Sequence, residues 1–534
     1  MRINYTVELK TPALTASLGI IGKDIDVVVK VDKDGKSFFN GKHIKGILKE
    51  RITQFKLGLG EDSKKIEEFI EKYFGKEGNY IKDNDFNKLR FSNLALVDED
   101  NYSVDDRYGI RINRKTKTAE HNSLFRYEYI TAGTQFKGEI EFSDNIAKED
   151  LKFIIASLFH LDTIGGFKSR GIGKVEISVE GRKLENEKTL DEIVNKLFKS
   201  VKGKVTKNIG EKLQKYRYKL ELKEPFILAG KEIGNYVEVR DSIQGSTIRG
   251  AMIEYFSKEG FLLESLLGIE ASEATLGFTP LASVFVTKYN IGKDKVKVDK
   301  IIDDRMEIED PVTKKGVKLE RNGTTLLKAR GNEISIAINS KTKSVEDGML
   351  FNSEYLQCND VLVGDILLPE GLVEKGKEYS IYLGKMKSKG FGKATIKFED
   401  FEQKNSNLKE RIKRLQNQTK EDILTFDLQS DLVLPFNDIY NVGEQFKALV
   451  GVEDIKFEKS KSYITTGKLG GYNIINNIRK IDELVITRGS VLTYRVSDID
   501  KVLPRLEEIE RVGLGLRRKE GFGRVKISSE RGEK

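Results

Sequence analysis

The stretch that decides the fold runs from residue 165 to residue 177 and reads GGFKSRGIGKVEI. Two further stretches repeat it at identical spacing, GKMKSKGFGKATI from Gly384 and GLRRKEGFGRVKI from Gly515. Each copy has a glycine, a basic residue three positions on, a second glycine six positions on, and then Gly-basic before an alternating apolar segment. Three copies in register predict an internal repeat in which each glycine loop leads into a β-strand.

Composition bounds the class of protein. The 534 residues suffice for two to four domains, each with its own core. Lys and Arg exceed Asp and Glu by 93 to 84, so the net charge of +9 permits a polyanionic partner without requiring one. The single cysteine, Cys358, excludes disulfides within the chain and zinc-finger thiolate sets. No apolar run approaches the ~18 residues of a membrane span, and the N-terminus lacks a signal-peptide core, so we expect a soluble, cytoplasmic protein.

Hydrophobic periodicity predicts an α+β fold with helices on one face of an antiparallel sheet. Residues 2–9 alternate like a half-buried strand, residues 61–75 have one apolar helical face, and a second helix spans about residues 149–161, directly before the first glycine loop. The second repeat opens on a similar strand at residues 216–226, but no helix is predicted before its loop.

Changes in composition divide the chain into three units. The charged stretch at 182–214 and the lysine-rich stretch at 403–421 predict the boundaries. Unit 1 is residues 1–205, unit 2 is 206–405, and unit 3 is the shorter 406–534, with units 2 and 3 candidates for one bilobed body. In unit 3, residues 423–434 are strand-like and a short helix delivers the chain to Gly515.

A second motif also recurs. NGKHIKGILKE (residues 40–50) and QGSTIRGAMIE (residues 244–254) share Gly-x-x-Ile-basic-Gly, with Lys45 and Arg249 as the basic residues. Both enter an apolar helical run. Free backbone N–H groups at a helix start can hold a phosphate, and the basic side chain would supply the countercharge.

The glycine loops are candidates for anion binding. Glycine permits positive φ and close backbone approach, so successive N–H groups can converge on an anion, and interleaved Lys and Arg add charge-assisted bonds. A tight connection with merely solvated basic residues is the alternative. A mononucleotide P-loop is excluded because Val175, Ala394 and Val525 follow the Gly-basic pair where Ser or Thr is needed, and the chain enters strands. Several cradles in a row favour a polynucleotide.

The loop and the upstream motif together resemble the glycine-rich signature of the RAMP superfamily, CRISPR-associated proteins built from modified RNA-recognition-motif (ferredoxin-like) domains. Unit 1 resembles the backbone RAMP subunits of type III effector complexes. The remainder, with GGYNIINNIRKIDELVITRGSVLTYRV at residues 470–496, resembles the subunit that caps the 5′ tag of the guide RNA. The whole resembles the large multi-repeat RAMP subunit of subtype III-D, with Tyr472 where relatives of the capping part often carry tryptophan.

This resemblance implies three tandem ferredoxin-like units that hold guide RNA within a type III CRISPR effector ribonucleoprotein. The implied partners are guide RNA, target RNA, backbone RAMP proteins and the large polymerase-like subunit. Base pairing by the guide would supply sequence specificity. The RNA-binding residues that it implies are Lys45, Gly165, Lys168, Arg170, Gly171, Gly173, Lys174, Arg249, Gly384, Lys387, Gly390, Gly392, Lys393, Tyr472, Arg518, Gly521, Gly523 and Arg524.

The resemblance also implies a catalytic aspartate before the first Gly-x-x-Ile-Lys-Gly motif. Asp26 is the first candidate and Asp24 the second, for metal-dependent cleavage of target RNA. Asp26 would hold Mg²⁺ or another divalent cation, or orient the 2′-hydroxyl for attack; no organic cofactor is expected. Solvated acids in a hairpin turn are the alternative. Unit 2 has Asn235, Tyr236 and Glu238 in the comparable region, so we expect it to be inactive.

Two other functions stay open. Repeat-processing RAMP endonucleases often use a histidine as general acid and base, and His43 lies within the first helix-start motif; His121 and His160 are the other histidines. A scaffold subunit that touches no RNA is the second alternative. Salt-dependent binding of guide-like RNA would exclude it.

Overall fold

The structure is a computed structural model with three large hydrophobic cores. These cores are drawn from residues 3–197, 216–398 and 408–527, one in each of the three sequence units. The predicted α+β class is confirmed. The structure describes residues 1–18, 25–75, 89–98, 100, 102–201, 207–210, 212–234, 236–240, 242–322, 330–338, 345–357, 359–401, 407–435, 441–473 and 478–531.

The described residues of unit 1 form two sheets and four α-helices. Its helices are α1 (Gly41–Gly58), α2 (Ser63–Phe74), α3 (Lys148–Phe159) and α4 (Glu187–Val201). Its strands are β1 (Arg2–Leu9), β2 (Ala16–Leu18), β3 (Val27–Val29), β4 (Arg90–Phe91), β5 (Ala95–Leu96), β6 (Val104–Gly109), β7 (Phe125–Ile130), β8 (Gln135–Glu141) and β9 (Val175–Val179). The main sheet has the order β4-β8-β1-β9, with β5 also on β8, and the second sheet has the order β2-β3-β7-β6.

Unit 2 repeats this plan and adds a third sheet. Its helices are α5 (Gly245–Lys258) and α6 (Leu263–Leu266). Its strands are β10 (Leu213–Leu222), β11 (Ala229–Ile233), β12 (Tyr236–Val239), β13 (Glu270–Ala271), β14 (Val284–Thr287), β15 (Lys297–Asp299), β16 (Glu307–Glu309), β17 (Gly316–Arg321), β18 (Arg330–Ile338), β19 (Val345–Leu356), β20 (Leu362–Pro369), β21 (Tyr379–Tyr382) and β22 (Lys393–Asp400). The sheet orders are β13-β20-β10-β22-β21, β11-β12-β19-β18 and β15-β14-β17-β16.

Unit 3 is the shortest version. Its helices are α7 (Leu408–Thr419), α8 (Val442–Val450) and α9 (Ile499–Val512). Its strands are β23 (Ile423–Leu428), β24 (Leu432–Val433), β25 (Ile455–Phe457), β26 (Thr466–Asn473), β27 (Ile478–Ile486), β28 (Val491–Val496) and β29 (Val525–Ile527). The main sheet has the order β25-β28-β23-β29, and β24-β27-β26 form a second sheet.

The three main sheets share one arrangement. The first strand of each unit, β1, β10 or β23, pairs antiparallel with the strand that follows the glycine loop, β9, β22 or β29. In β1 the predicted alternation is present, because Ile3, Tyr5, Val7 and Leu9 are buried. Every glycine loop therefore enters a strand beside the first strand of its own unit, which fixes the loop at one end of the sheet.

Local sequence signals explain most helix bounds. The predicted helix at residues 61–75 is α2, whose N-terminal N–H of Lys64 is capped by the Asp62 side chain and which ends at Gly75. As expected, a strand, β21, and not a helix, precedes the second loop. The lysine-rich stretch predicted as a boundary contains α7, because Leu408, Ile412 and Leu415 bury one face. Within the described part of the chain, no helix combines the length and apolar character needed to cross a membrane.

Candidate functional site: three glycine loops and an exposed arm

The three glycine loops have the same backbone conformation. We call them loop 1 (residues 165–174), loop 2 (384–393) and loop 3 (515–524). In loop 1, Gly165, Phe167, Gly171 and Gly173 have φ of 81°, 54°, 78° and 84°, and Lys168–Arg170 forms a 3₁₀ turn. The same positive φ values and turn recur at Gly384, Met386, Gly390 and Gly392, and at Gly515, Arg517, Gly521 and Gly523.

The last glycine of each loop packs closely against the backbone of its own unit. A Cβ on Gly173 would lie 2.0 Å from the carbonyl oxygen of Ile164, so only glycine fits. The N–H of Gly173 donates to the carbonyl of Pro12 at 2.7 Å, and its own carbonyl accepts from Ile164 N at 2.8 Å. Loops 2 and 3 repeat both bonds, through Gly392 with Pro225 and Leu383, and through Gly523 with Asp431 and Leu514. The N–H groups of these glycines therefore hold the chain's own backbone, where the sequence led us to expect a phosphate.

Loop 2 packs against the start of α1 in unit 1. The Asn93 side chain accepts a hydrogen bond from Gly41 N at 2.9 Å and donates one to the Gly390 carbonyl at 2.9 Å. A Cβ on Gly390 would lie 2.0 Å from Asn93 Oδ1 and 3.0 Å from Gly41 N. The Nζ of Lys45 donates to Ser388 Oγ at 3.1 Å, and both side chains are buried. Loop 2 therefore packs against the first helix-start motif.

Loop 3 packs in the same way against the start of α5 in unit 2. A Cβ on Gly521 would lie 2.4 Å from the carbonyl of Ala271 and 3.3 Å from Gly245 Cα. A Cβ on Gly245 would in turn lie 2.7 Å from the carbonyl of Glu520. An ion pair of 2.6 Å between Arg488 in unit 3 and Glu273 in unit 2 adds to this junction. Successive units are therefore joined by a glycine loop on a helix start.

Buried charges also cross the junction of units 1 and 2. Glu254 of α5 pairs with Lys387 of loop 2 at 2.9 Å, with Lys258 at 3.1 Å, and with Arg90 of unit 1. Glu141 of unit 1 contacts Lys258 at 2.5 Å. Although burial alone would raise the pKa of Glu254, the three cations hold it well below its usual range. These groups stay charged and tie the two units together at neutral pH.

A second carboxylate at this junction behaves in the opposite way. Burial raises the pKa of Glu224 to about 7, even though its Oε1 accepts the Asn93 N–H at 2.9 Å. Glu139 lies near it and adds repulsion, while Lys393 pairs with Glu139 at 3.2 Å. Glu224 is therefore only half ionised near neutral pH.

Four of the basic residues predicted to bind RNA have protein partners. Lys45 contacts Ser388, Lys387 pairs with Glu254, and Lys393 pairs with Glu139. Arg249 donates to the carbonyls of Ile269 and Leu267, at 2.6 and 2.8 Å. These contacts differ from the solvent-facing cradles that the sequence led us to expect. The exposed members of the predicted set are Lys168, Arg170, Gly171, Lys174 and Arg518, and Arg524 is half-buried.

Two predicted residues are only partly placed. Tyr472 lies in β26, opposite Arg479 of β27, and its side chain is outside the described part of the structure. Asp24 lies outside the described residues altogether. The roles predicted for both remain predictions.

Asp26 lies exposed at the entry to β3. Its Oδ2 accepts the N–H of Arg126 at 2.8 Å, and its own N–H donates to the Arg126 carbonyl at 2.9 Å. These bonds lead into the parallel pairing of Val27 with Tyr127. Among the described residues, no group of three or more His, Cys, Asp or Glu side chains is arranged to hold a metal ion. The residues described around Asp26 therefore do not by themselves build a cation site.

Next to Asp26 a hairpin carries a set of exposed residues that could not be recognised from the sequence pattern. We call it the arm: β6, the connecting residues 110–124, and β7. Tyr108 pairs across the strands with Arg126, whose guanidinium lies 5.3 Å from the tyrosine ring centre, and Arg107 lies 5.3 Å from the ring of Tyr129. Tyr108 is 60% exposed. The exposed basic residues of the connection are Arg111, Arg114, Lys115 and Lys117. Their run, RINRKTKT, was the available sequence signal.

His43 has the environment of a structural residue. Its Nε2 accepts the N–H of Gly165 at 2.7 Å, which ties α1 to loop 1. Burial, with Lys168 and Lys30 nearby, lowers the pKa of His43 to about 4. A neutral imidazole engaged by the backbone is a poor proton donor at neutral pH. His160 is exposed and meets the Phe55 ring edge-on, and His121 is exposed in the arm.

Comparison with known families identifies the class of domain. The sequence profile of the RAMP superfamily matches residues 6–176, from β1 through loop 1 into β9. Over those residues the chain matches the RAMP superfamily, which is the family predicted from the sequence. The same loop conformation and the same sheet order return in units 2 and 3. No curated protein matches the chain in sequence.

Three solved structures with similar chains are of the type III-B Cmr-beta complex. A chain of the type III-B Cmr-beta complex in the apo state has 13% identity and a TM-score of 0.27, and covers 34% of this chain and 97% of its own. A chain of the same complex bound to cognate target RNA and AMPPnP has 16% identity and a TM-score of 0.30, and the match covers 52% of this chain and 86% of that chain. A chain of the complex bound to cognate target RNA has 16% identity and a TM-score of 0.31, and the match covers 55% of this chain and 94% of that chain. Similarity at this level does not identify a shared function.

Proposed function

We propose that this protein is an RNA-binding RAMP subunit of a type III CRISPR effector ribonucleoprotein, and that it holds the guide RNA in the region of its 5′ tag. The observation that carries the proposal is the superfamily match over residues 6–176. Guide RNA, target RNA, backbone RAMP proteins and the polymerase-like subunit are the proposed partners, and the cytoplasm is the proposed location. The guide supplies sequence specificity by base pairing.

The arm is the surface that we assign to RNA. Single-stranded RNA is held by aromatic faces on which bases stack and by basic groups that follow the backbone. Tyr108 offers an exposed ring next to Arg126, and four basic residues crowd the connection. Arg111 has one acidic neighbour there, Glu120 at 3.1 Å, and remains 78% exposed. Lys174 and Arg518 are further exposed cations at the loops.

Cleavage of target RNA is a second proposal, favoured by the position of Asp26 beside the arm. An exposed carboxylate held by the Arg126 N–H has a fixed direction and can orient a 2′-hydroxyl for attack on its own phosphate. The divalent cation expected at Asp26 stays a prediction, since the described residues hold no group of three or more candidate ligands, and no step is assigned to it. Asp26→Asn keeps an oxygen for the Arg126 N–H and removes the charge. We expect it to abolish cleavage by the reconstituted complex while RNA binding persists; unchanged cleavage would contradict this role.

Binding of a guide-like RNA to the purified full-length chain tests RNA binding directly. Affinity should fall steeply with salt, because each phosphate contact on a single strand contributes about −0.7 to the slope. Replacing Arg111, Arg114, Lys115 and Lys117 by serine should flatten that slope by up to about 3. The matched control replaces Lys64, Lys65, Lys188 and Lys196, four exposed lysines on α2 and α4.

Each outcome decides between the open alternatives. Equal slopes for the two quadruple variants would remove the arm from the proposal. Absence of salt-dependent binding by the wild-type chain would favour a scaffold that touches no RNA. Cleavage of a CRISPR repeat hairpin by the free chain would favour the processing nuclease.

A further inference from the structure

The two junctions between units use one recurring contact. At each, the middle glycine of a loop, Gly390 or Gly521, lies against the first residue of a helix, Gly41 or Gly245. Both glycines are buried. We call the receiving surface the acceptor: a helix start with the motif Gly-x-x-Ile-basic-Gly, together with the residues that follow a short strand of the same unit.

The two acceptors are built alike beyond the helix. After β4, Ser92 Oγ accepts the N–H of Glu139 at 2.8 Å; after β13, Ser272 Oγ accepts the N–H of Asp365 at 2.7 Å. The next residue, Asn93 or Glu273, reaches into the following unit, to Gly390 and to Arg488. The contact is therefore a repeated joint and not two unrelated packings.

Loop 1 has the conformation of loops 2 and 3 and an open docking face. Among the described residues, no atom lies within 4 Å of a Cβ added at Gly171. A Cβ added at the equivalent Gly390 of loop 2 would lie 2.0 Å from Asn93 Oδ1. Lys168, Ser169, Arg170 and Gly171 are all exposed, whereas Ser388, the counterpart of Ser169, is 2% exposed.

Loops of this chain already occupy its two matching acceptors. The α1 start is covered by loop 2 and the α5 start by loop 3. The α8 start differs: the helix begins at Val442, and a Cβ on Gly443 would lie 2.3 Å from the ring of Phe457. A second copy of this chain therefore offers no matching acceptor among its described residues, which favours an occupant of loop 1 from a different chain.

We infer that loop 1 is a joint for another RAMP-type subunit, which places the acceptor of its Gly-x-x-Ile-basic-Gly helix on Gly171. Ser169 accepts a hydrogen bond from the partner's basic residue, as Ser388 does from Lys45. This inference deepens the proposed function, and rests on it only in taking the chain to work within a multisubunit particle.

Photo-crosslinking in the native particle tests the inference. The tagged full-length chain carries p-benzoylphenylalanine at Arg170, and in a parallel preparation at Lys389, the matching position of loop 2. The Lys389 probe should crosslink within the chain to residues around Asn93, as an internal control. The Arg170 probe should crosslink to a different protein, in a peptide spanning a Gly-x-x-Ile/Leu-Lys/Arg-Gly helix start, and should still do so after ribonuclease treatment.

A pair of glycine variants gives a second readout. Gly171→Asn places a side chain on the docking face, and Gly181→Asn places one at another positive-φ glycine with open surroundings. Asparagine tolerates this backbone conformation, so both variants should unfold at the same temperature. The amount of partner protein that co-purifies with the Gly171→Asn variant should be lower than with the Gly181→Asn variant by a factor of about ten or more.

Several results would overturn the joint. They are crosslinks from Arg170 to RNA alone, crosslinks to a second copy, no crosslink while the Lys389 probe works, and equal partner retention by the two variants. Because the partner is scored after ribonuclease treatment, failure of RNA binding and failure of the joint are seen separately.

Discussion

The side-chain amide of Asn93 donates a hydrogen bond to the carbonyl of Gly390, 2.9 Å away and 297 positions further along the chain. The same side chain accepts the N–H of Gly41, at the start of α1. One residue thus joins a strand end, a helix start and the glycine loop of the next unit. Two of the loops that the sequence predicted to bind phosphate pack against a neighbouring unit.

Replacing Asn93 should destabilise the junction of units 1 and 2. Asn93→Ala removes the side chain that pairs with the Gly41 N–H and the Gly390 carbonyl, and leaving these backbone groups unpaired costs about 1–3 kcal/mol. Asn145→Ala, at an exposed position, should change stability by less than about 0.5 kcal/mol. Thermal and urea unfolding of the full chain measure both, and equal midpoints for the two variants would contradict the importance of this contact.

Glu224 should make the protein less stable as the pH rises. Its pKa is raised from an ordinary 4.5 to about 7, so the folded state binds the proton more tightly than the unfolded state between those values. Stability is lost from about pH 4.5 up to pH 7 and the loss is then constant, amounting to about 3 kcal/mol. Glu224→Gln should therefore gain stability relative to wild type over that window.

The control for this pH effect is Glu221→Gln, a half-exposed carboxylate paired with Lys223 at 2.7 Å. It should show no such gain. Unfolding midpoints measured from pH 5 to pH 8 give the difference curves, and a Glu224→Gln curve that is flat with pH would show that the buried carboxyl titrates normally.

The last glycine of a loop should be irreplaceable for folding. Gly173→Ala brings a Cβ against the Ile164 carbonyl at a φ of 84°, whereas Gly181→Ala has similar strain at 75° and open surroundings. Strain of this kind costs about 1–3 kcal/mol, and Gly173→Ala adds the clash. Its melting temperature should therefore fall well below that of Gly181→Ala. Matching melting temperatures would mean that the loop relaxes freely.

Tyr108 should contribute to RNA affinity without contributing to stability. Base stacking on an aromatic ring is worth about 1–3 kcal/mol, so Tyr108→Ala should weaken binding of a guide-like RNA by roughly five- to a hundredfold. Tyr289→Ala is the matched control, since Tyr289 is 65% exposed and also lies near a lysine, Lys288. Equal RNA affinities of the two variants would contradict the proposal that a base stacks on Tyr108.

The sequence predicted the parts of the fold that local chemistry decides. Three loops in register, the strands after them, and the amphipathic helix that is α2 follow from spacing and residue type. The sequence could not show what each loop faces. Lys45 meets Ser388 from 343 positions away, so whether a basic residue faces solvent or a neighbouring unit depends on tertiary packing.

The arm was missed for a different reason. Strand β6 alternates only weakly, because four of its six residues are exposed and no apolar face marks it. Periodicity detects strands that cover a core, and four consecutive residues of this strand are exposed. Its chemistry became visible only when strand pairing brought Tyr108 beside Arg126.

The most direct test of the central claim is to sequence the RNA that co-purifies with the tagged full-length chain from its native cells. The account predicts short RNAs that share one repeat-derived 5′ tag and differ in the sequence after it. Purification without RNA above background, or with RNA of the cell's average composition, would contradict it.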